Sequence, residues 1–240
     1  MESLSKIDAV VLCGGLGRRL RRVLGGRQKV LASVGGHPFL DIILSHLKKQ
    51  GIRRVVLCTG YKADLIEQYY SLENFGLKIE FSREQQPLGT GGAIQQARSL
   101  VRSNPFFALN GDSFCPANLR KFFKLYREKK GIASVVVSSV KDKKDFGSIA
   151  LDRSGRIVSF EEKKEGTASR LVNAGIYCFD KKIFPLMPRR KGFSLEYDCF
   201  PRWVEHGVFG YVTERKFYDI GTPERLKKAK QIFKKGFHED

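Results

Sequence analysis

The chain has 240 residues, 42% of them hydrophobic, which is enough apolar material for one large domain or two small ones. Its 44 lysines and arginines outnumber its 25 aspartates and glutamates, and the formal net charge is +19. The apolar stretches are only as long as a strand and none lies at the start of the chain, so we expect no membrane span, no signal peptide and a cytoplasmic location.

The five cysteines are far apart, odd in number and without a CxxC pair. This spacing argues against a disulfide framework and against a zinc site, so we expect reduced and mostly buried thiols. The positive charge favours an anionic partner, which could be nucleic acid, an acidic membrane surface or a phosphorylated small molecule. Because no recognised nucleic-acid motif is present, we expect neither a nucleic acid nor a membrane as partner.

Strand-like runs alternate with helical segments along the first half of the chain. The runs are AVVLC, RVVLCTG, LKIEFS, FFALN and ASVVVSSV. Apolar residues fall on one helical face between Phe39 and Leu47 and again between Leu119 and Tyr126. This alternation is typical of βαβ units, so we predict an α/β fold with a mixed, mostly parallel, Rossmann-like sheet flanked by helices.

The pattern changes near Asp145. The segment FGSIALDRSGRIVSFEEK predicts two strands joined by a turn at Asp152 to Gly155, and LVNAGIYCFD predicts another strand. We therefore expect a smaller antiparallel subsheet in the second half, which completes a cleft. No linker-like composition interrupts the chain, so we predict a single domain, residues 1–240, whose two halves meet near residue 140.

Three glycines and two arginines follow the first strand in VVLCGGLGRRL. Ligands of open α/β sheets bind beyond the carboxyl ends of the parallel strands. Glycines at this place let backbone N–H groups approach a phosphate, and arginines clamp the same anion. The dinucleotide pattern GxGxxG fails because Leu20 stands at the third glycine, and the Walker A pattern has no register here.

The stretch GGLGRRL followed by Lys29 resembles the signature GGxGxRL…PK of the sugar-phosphate nucleotidyltransferases, which join a nucleoside triphosphate to a sugar 1-phosphate and release pyrophosphate. Further segments resemble this family in the same order along the chain: EQQPLGTGGAI, FFALNGDSF, FEEKK, LVNAGIY, FSLEYD and FYDIGTP. The resemblance implies a GT-A-like nucleotidyltransferase fold. It also implies that residues up to about 140 bind the nucleotide and that residues from about 141 to 240 bind the sugar phosphate.

The resemblance assigns a role to each of these segments. The catalytic residues would be Arg19, Lys29, Asp112 and Lys163. The nucleotide would be bound by Leu12, Gly14, Gly15, Gly17, Arg18, Gln86, Gly89, Thr90 and Gly111. The sugar phosphate would be bound by Glu162, Lys163, Asn173, Gly175 and Glu196. Asp112 and Asp219 would hold Mg²⁺ together with phosphate oxygens of the substrate.

Two hydroxyl residues have a local structural role as well. Thr90 is placed to cap the helix that begins beside it, because threonine side chains accept hydrogen bonds from helical N–H groups. Thr222 and Pro223 form a suitable cap and first-turn pair for the last helix.

The family usually has proline on either side of the lysine, whereas this chain has Gln28-Lys29-Val30. We therefore expect a more mobile loop around Lys29. PFLD, GYKADLI, PLGTGGAI and LNGDSF are most similar to the branch of the family that transfers a guanylyl group from GTP to a heptose 1-phosphate.

Three alternatives stay open from the sequence. The sugar could be another one, such as mannose 1-phosphate. The group transferred could be cytidylyl or thymidylyl. The chain could also be a catalytically silent homologue that senses sugar nucleotides. For assembly, we predict an exposed stripe around Trp203 through which two copies pair as a homodimer.

Overall fold

The computed structural model describes residues 3–20, 22–140, 148–161 and 171–235. Within them, the strands are β1 (Asp8–Leu12), β2 (Ser33–Val34), β3 (His37–Pro38), β4 (Arg54–Thr59), β5 (Lys78–Arg83), β6 (Phe106–Asn110), β7 (Ser113–Phe114), β8 (Ala133–Ser139), β9 (Ser148–Leu151), β10 (Ile157–Glu161), β11 (Leu171–Phe179), β12 (Val208–Thr213) and β13 (Tyr218–Asp219). The α-helices are α1 (Phe39–Gln50), α2 (Ala63–Leu72), α3 (Gly89–Gln96), α4 (Leu119–Lys129), α5 (Phe200–Trp203) and α6 (Pro223–Ile232).

Nine of the described strands form one mixed sheet. Seven of them follow the order β10-β9-β11-β6-β1-β4-β5, while β8 pairs with β11 and β12 pairs with β8. Strand β1 is parallel to β4 and β6, and β4 is parallel to β5. Strand β11 is antiparallel to β6, β8 and β9. The antiparallel strands of the second half are therefore joined to the parallel part through β11.

The predicted hairpin is confirmed. Strands β9 and β10 pair antiparallel, and the turn between them closes with a hydrogen bond from the Gly155 N–H to the Asp152 carbonyl. The Asp152 carboxylate accepts bonds from the backbone N–H groups of Ser154 and Arg156, which fixes the turn. The last helix also begins as predicted, because the Thr222 hydroxyl accepts a hydrogen bond from the Arg225 N–H.

Helices cover both faces of the sheet because successive side chains of each buried strand point to opposite faces. In β1, Val11 packs into the core formed with α1, α2, α4 and α6, whereas Val10 packs into the core formed with α3 and α5. The predicted apolar stripes of α1 and α4 are buried. All five cysteines are free and buried, as expected. No helix in the described ranges is long and apolar enough to cross a bilayer.

The predicted exposed stripe around Trp203 is wrong. The Trp203 side chain is fully buried in the core on the α5 side of the sheet. Its ring meets the rings of Phe179 and Phe200 edge to face, at centroid distances of 5.9 and 5.7 Å. Sequence spacing around Trp203 did not reveal this, because the covering residue Phe179 comes from a distant strand of the sheet.

Charged residues are paired at the amino ends of the parallel strands. Asp8 and Arg54 are register partners in β1 and β4, and both are buried. An Arg54 Nη1 atom lies 2.8 Å from Asp8 Oδ2, and its Nη2 atom lies 2.9 Å from Glu80 Oε2. This network lies at the edge of the sheet opposite the glycine loop, so we assign it to stability.

We expect Arg54→Ala to lower the free energy of unfolding by about 3–5 kcal/mol, because the variant leaves the Asp8 carboxylate buried without its counter-ion. Urea denaturation measures this change. Arg53→Ala is the matched control, since Arg53 is exposed, and it should change stability by less than about 0.5 kcal/mol. Equal effects of the two substitutions would contradict the assignment.

Candidate functional site

A cavity of about 330 Å³ lies beyond the carboxyl ends of β1 and β6. The ends of three neighbouring strands are joined there by backbone hydrogen bonds, from the Cys13 N–H to the Cys58 carbonyl and from the Gly111 N–H to the Leu12 carbonyl. Seven residues predicted for the site line this cavity: Leu12, Gly14, Gly15, Lys29, Gly89, Thr90 and Asp112. Residues from the glycine loop, from the PLGTGG segment and from the NGD segment therefore meet at one place in the fold.

Lys29 and Asp112 form an ion pair at the wall of the cavity. Lys29 begins a short 3-10 turn that ends at Leu31, and Asp112 follows directly after β6. The exposed fractions of the two side chains are 14% and 31%, so the pair is partly shielded but reachable from the cavity. An ammonium group held against a carboxylate in this way supplies a fixed positive charge next to the glycine loop.

Among the described residues, five that were predicted to be catalytic or to bind the nucleotide do not line the cavity. Arg18 and Arg19 belong to a 3-10 turn after the glycines, and both are exposed. Gln86 is exposed as well. Gly111 has a structural role, because a Cβ there would lie 2.6 Å from the Leu12 carbonyl oxygen. Gly17 is a further predicted residue outside the lining, in the left-handed conformation with φ of 56°.

Glu84 lines the cavity and was not among the predicted site residues. Its Oε2 atom accepts a hydrogen bond of 3.0 Å from the Leu88 N–H. Its Oε1 atom lies so close to Gly14 that a Cβ on that glycine would collide with the carboxylate. Among the described residues, no donor contacts Oε1. Burial raises the pKa of Glu84, and the Leu88 N–H opposes this shift.

Thr90 does not cap α3, which corrects the prediction. The helix begins at Gly89, so Thr90 lies inside its first turn. The N–H groups of Gly91 and Gly92 are satisfied instead by the Phe193 carbonyl oxygen. The Thr90 hydroxyl accepts a bond from the Leu195 N–H and donates one of 2.8 Å to Glu196 Oε2.

Glu196, Asn173 and Gly175, the predicted sugar-side residues that are described, belong to one hydrogen-bonded group. Tyr177 lies at its centre, donates its hydroxyl to Glu196 Oε1 at 3.2 Å and accepts a bond of 2.9 Å from Asn173 Nδ2. Asn173 Oδ1 in turn accepts the Gly175 N–H. Burial raises the pKa of Tyr177, which keeps its phenol protonated as a donor.

Sequence reasoning missed Tyr177 because it reads as an ordinary strand residue. The predicted residues Glu162 and Lys163 lie outside the described residues. Thr90 links the residues that line the cavity to the hydrogen-bonded group around Tyr177, because it lies in the wall of the cavity and bonds to Glu196. The Thr90 hydroxyl therefore connects helix α3, which was predicted to bind the nucleotide, with Glu196, which was predicted to bind the sugar phosphate.

Asp219 lies near the main-chain segment of Asp112 but outside the lining of the cavity. Strand β13 pairs with β7, which sets Asp219 opposite Ser113, and the Ile220 N–H donates to the Asp112 carbonyl. The Asp219 carboxylate is ion-paired with Arg225 at 2.7 Å and accepts the Gly221 N–H. The described residues contain no cluster of three or more His, Cys, Asp or Glu side chains of metal-site geometry.

Comparison with known proteins places this arrangement in a family. The Nucleotidyl transferase family model matches residues 8–236. The chain is 34% identical to D-glycero-α-D-manno-heptose 1-phosphate guanylyltransferase of Aneurinibacillus thermoaerophilus, over 94% of this chain and 97% of that protein. It is 37% identical to the protein of the same name from Campylobacter jejuni, over 91% and 96%.

A solved structure agrees with these sequence matches. HddC from Yersinia pseudotuberculosis, crystallised in complex with GMP-PN, superposes with a TM-score of 0.84 at 34% identity, covering 95% of this chain and 99% of that one. The matches confirm the predicted family and the predicted GT-A-like nucleotidyltransferase fold.

Because the Thr90 hydroxyl makes two partly buried hydrogen bonds, one of them to a carboxylate, we expect Thr90→Val to lower the free energy of unfolding by about 1–3 kcal/mol. Thr90→Ser retains the hydroxyl and should cost less than about 1 kcal/mol. Chemical denaturation of the two variants beside the wild type measures the difference. A Val variant as stable as the Ser variant would show that the link to Glu196 contributes nothing to stability.

Proposed function

The chain belongs to the nucleotidyl transferase family, and from this premise we propose that it transfers a guanylyl group from GTP to D-glycero-α-D-manno-heptose 1-phosphate and releases pyrophosphate. The similarity to two heptose 1-phosphate guanylyltransferases over nearly their whole length supports this choice. The observation that carries it is the cavity itself, which is lined both by the Lys29–Asp112 pair and by Glu84.

The reaction joins two anions, so its physical demand is positioning and charge neutralisation. A phosphate oxygen of the sugar 1-phosphate attacks the α-phosphorus of GTP in line, and the bond from that phosphorus to the bridging oxygen of pyrophosphate breaks. This step needs no protein nucleophile. Lys29 lies where its charge offsets the negative charge that builds up at the phosphates, and the N–H groups of the glycine loop approach the same oxygens.

The carboxylates of Asp112 and Asp219 fit a divalent cation, which we propose to be Mg²⁺. Carboxylate oxygens are the hard ligands that Mg²⁺ prefers, and the ion commonly binds one or two carboxylates together with phosphate oxygens and waters. The ion would neutralise charge on the phosphates. Lys29 and Arg225 already hold the carboxylates of Asp112 and Asp219 in place through ion pairs.

Glu84 gives the site a means to select guanine. The Watson–Crick edge of guanine carries N1–H and N2–H donors side by side, and the edges of thymine and uracil carry a single N–H donor between two acceptors. The carboxylate of Glu84 accepts bonds only, Glu84 lines the cavity, and its Oε1 atom lies beside Gly14 of the glycine loop. A bidentate contact of this kind discriminates between bases by about 1–3 kcal/mol.

The sugar side has the chemistry to bind a polyol. Asn173 and Glu196 present an amide and a carboxylate from one hydrogen-bonded group, and sugar hydroxyls donate to and accept from both kinds of side chain. We propose that Lys163 contacts the phosphate of the sugar and that Glu162 and Gly175 complete this half of the site. Arg18 and Arg19 are proposed to contact the triphosphate from the exposed turn after the glycines.

The proposed function predicts pyrophosphate release that depends on Mg²⁺, on GTP and on the heptose 1-phosphate together. The assay supplies each of the four nucleoside triphosphates with a panel of sugar 1-phosphates that includes mannose 1-phosphate. Higher turnover with mannose 1-phosphate would assign that sugar instead. Silence across the whole panel with GTP binding intact would favour a regulatory homologue and refute the proposal.

Replacement of the Glu84 carboxylate by an amide should relax the base selection. In Glu84→Gln, the amide keeps the shape but offers an NH₂ group where guanine presents donors. We expect kcat/KM for GTP to fall about 10- to 100-fold, which is the size of a lost bidentate contact, and the relative rate with UTP to rise. Steady-state kinetics with both nucleotides measures the ratio.

Two controls make this test specific. Gln85→Glu introduces the reverse change at an exposed neighbour outside the cavity lining, and its kinetics should match the wild type. In the wild type, the KM for GTP should also rise as the pH falls through the raised pKa of Glu84, since protonation removes an acceptor. A Gln variant with unchanged base preference would refute the assignment of Glu84.

A further inference from the structure

We propose that Gln28 is a positioning residue, which fixes Lys29 against the cavity by joining the glycine loop to the turn that carries the lysine. The inference rests on the proposed function, because it concerns the lysine that acts on the phosphates. Gln28 takes the place at which the family signature has proline. Its side chain, although polar, is 1% exposed.

Both ends of the Gln28 amide are bonded to backbone groups, one in the glycine loop and one in the short turn that Gln28 precedes. Its Nε2 atom donates to the Cys13 carbonyl at 2.6 Å and lies 3.5 Å from the Gly15 carbonyl. Its Oε1 atom accepts the Val30 N–H at 2.9 Å. One amide therefore spans from the first residues of the glycine loop to the residue directly after Lys29.

The segment before Gln28 is held by turns within itself, such as the hydrogen bond from the Arg27 N–H to the Leu24 carbonyl. Gly25 and Gly26 both have positive φ, of 55° and 76°, so this part of the chain uses conformations that favour glycine. The expected proline, which would lock φ, is absent from both sides of Lys29. The amide bridge supplies the restraint instead, and it restrains the turn relative to the strand end rather than the φ of one residue.

Gln28 borders the cavity, but its amide is occupied by bonds to the protein, so we assign it a role through Lys29 rather than in binding substrate. Its three hydrogen-bonding contacts are with the protein, and the side chain is almost fully covered. In contrast, Lys29 is partly exposed and paired with Asp112. If the bridge breaks, the Cys13 carbonyl and the Val30 N–H lose their partner, and the lysine turn is free to shift relative to the glycine loop.

The test is a double-mutant cycle between Gln28→Met and Lys29→Ala, with kcat and KM measured by pyrophosphate release. Methionine keeps the length of the side chain but makes neither bond. We expect Gln28→Met to lower kcat on the order of 10- to 100-fold, since a misplacement of about 1 Å can cost 10²-fold, while the KM for GTP changes less than about threefold. Lys29→Ala alone should cost on the order of 10²–10³.

The double variant separates positioning from a general structural effect. If Gln28 works through Lys29, the double variant is about as slow as Lys29→Ala alone, because the lysine is no longer there to be placed. Multiplied effects would overturn the inference, and so would wild-type kcat in Gln28→Met. Denaturant unfolding of each variant establishes that the folded protein is being compared.

Two further variants secure the result. Gln28→Glu retains an acceptor for the Val30 N–H but loses the donor to the Cys13 carbonyl, so it should also lower kcat, and it replaces Gln28→Met if that variant fails to fold. Gln68→Met, the same change at an exposed site on α2, should leave kcat unchanged. A wild type that releases no pyrophosphate would refute the proposed function itself, and normal wild-type turnover with unaffected Gln28 variants would refute this inference alone.

Discussion

The parallel pairing of β1 with β4 and β6 is the constraint on which the site depends. Parallel strands end at the same edge of the sheet, so the glycine loop after Leu12 and the turn after Asn110 must emerge side by side. The Gly111 N–H bonds to the Leu12 carbonyl, which leaves no room for a Cβ between the two segments. Because the ends of β1 and β6 lie side by side, the Lys29 side chain can form its ion pair with Asp112.

Much of the fold followed from local sequence patterns, because alternation and helix periodicity depend on residues close in the chain. The buried stripes of α1 and α4, the hairpin at Asp152 and the strand-end position of Asp112 were predicted in this way. Contacts between residues that are far apart in the chain were not predicted. Thr90 has the local features of a helix cap, yet its hydroxyl bonds to Glu196, 106 positions away along the chain. Trp203 is covered by Phe179 for the same kind of reason.

The same distinction between local sequence patterns and long-range contacts applies to the residues of the candidate site. Glycines, Lys29 and Asp112 belong to short motifs, so their residue types were readable before their positions were known. Glu84 is the first residue of the EQQPLGTGGAI segment, but nothing in the sequence singled it out from its neighbours, and only the folded chain brings its carboxylate against the backbone of Gly14. Tyr177 likewise gains its role only where β11 passes the segment that contains Glu196. Proximity of this kind is a property of the folded chain, and no spacing rule contains it.

The charged residues around the site have two kinds of role. Exposed cations attract anionic substrates, and ion-paired residues fix the positions of other groups. In the wall of the cavity, Lys29 is ion-paired with Asp112, and outside the cavity Arg18 and Arg19 are exposed on the turn that follows the glycines. Exposed cations raise the local concentration of anionic substrates and speed their arrival, whereas a partly buried ion pair fixes geometry. The Gln28 bridge belongs to the second class although it is uncharged. A proline would fix only the local backbone, but the Gln28 amide, which is bonded at both ends, joins the turn that carries Lys29 to the start of the glycine loop, and this is why we propose that the position of the lysine depends on that loop.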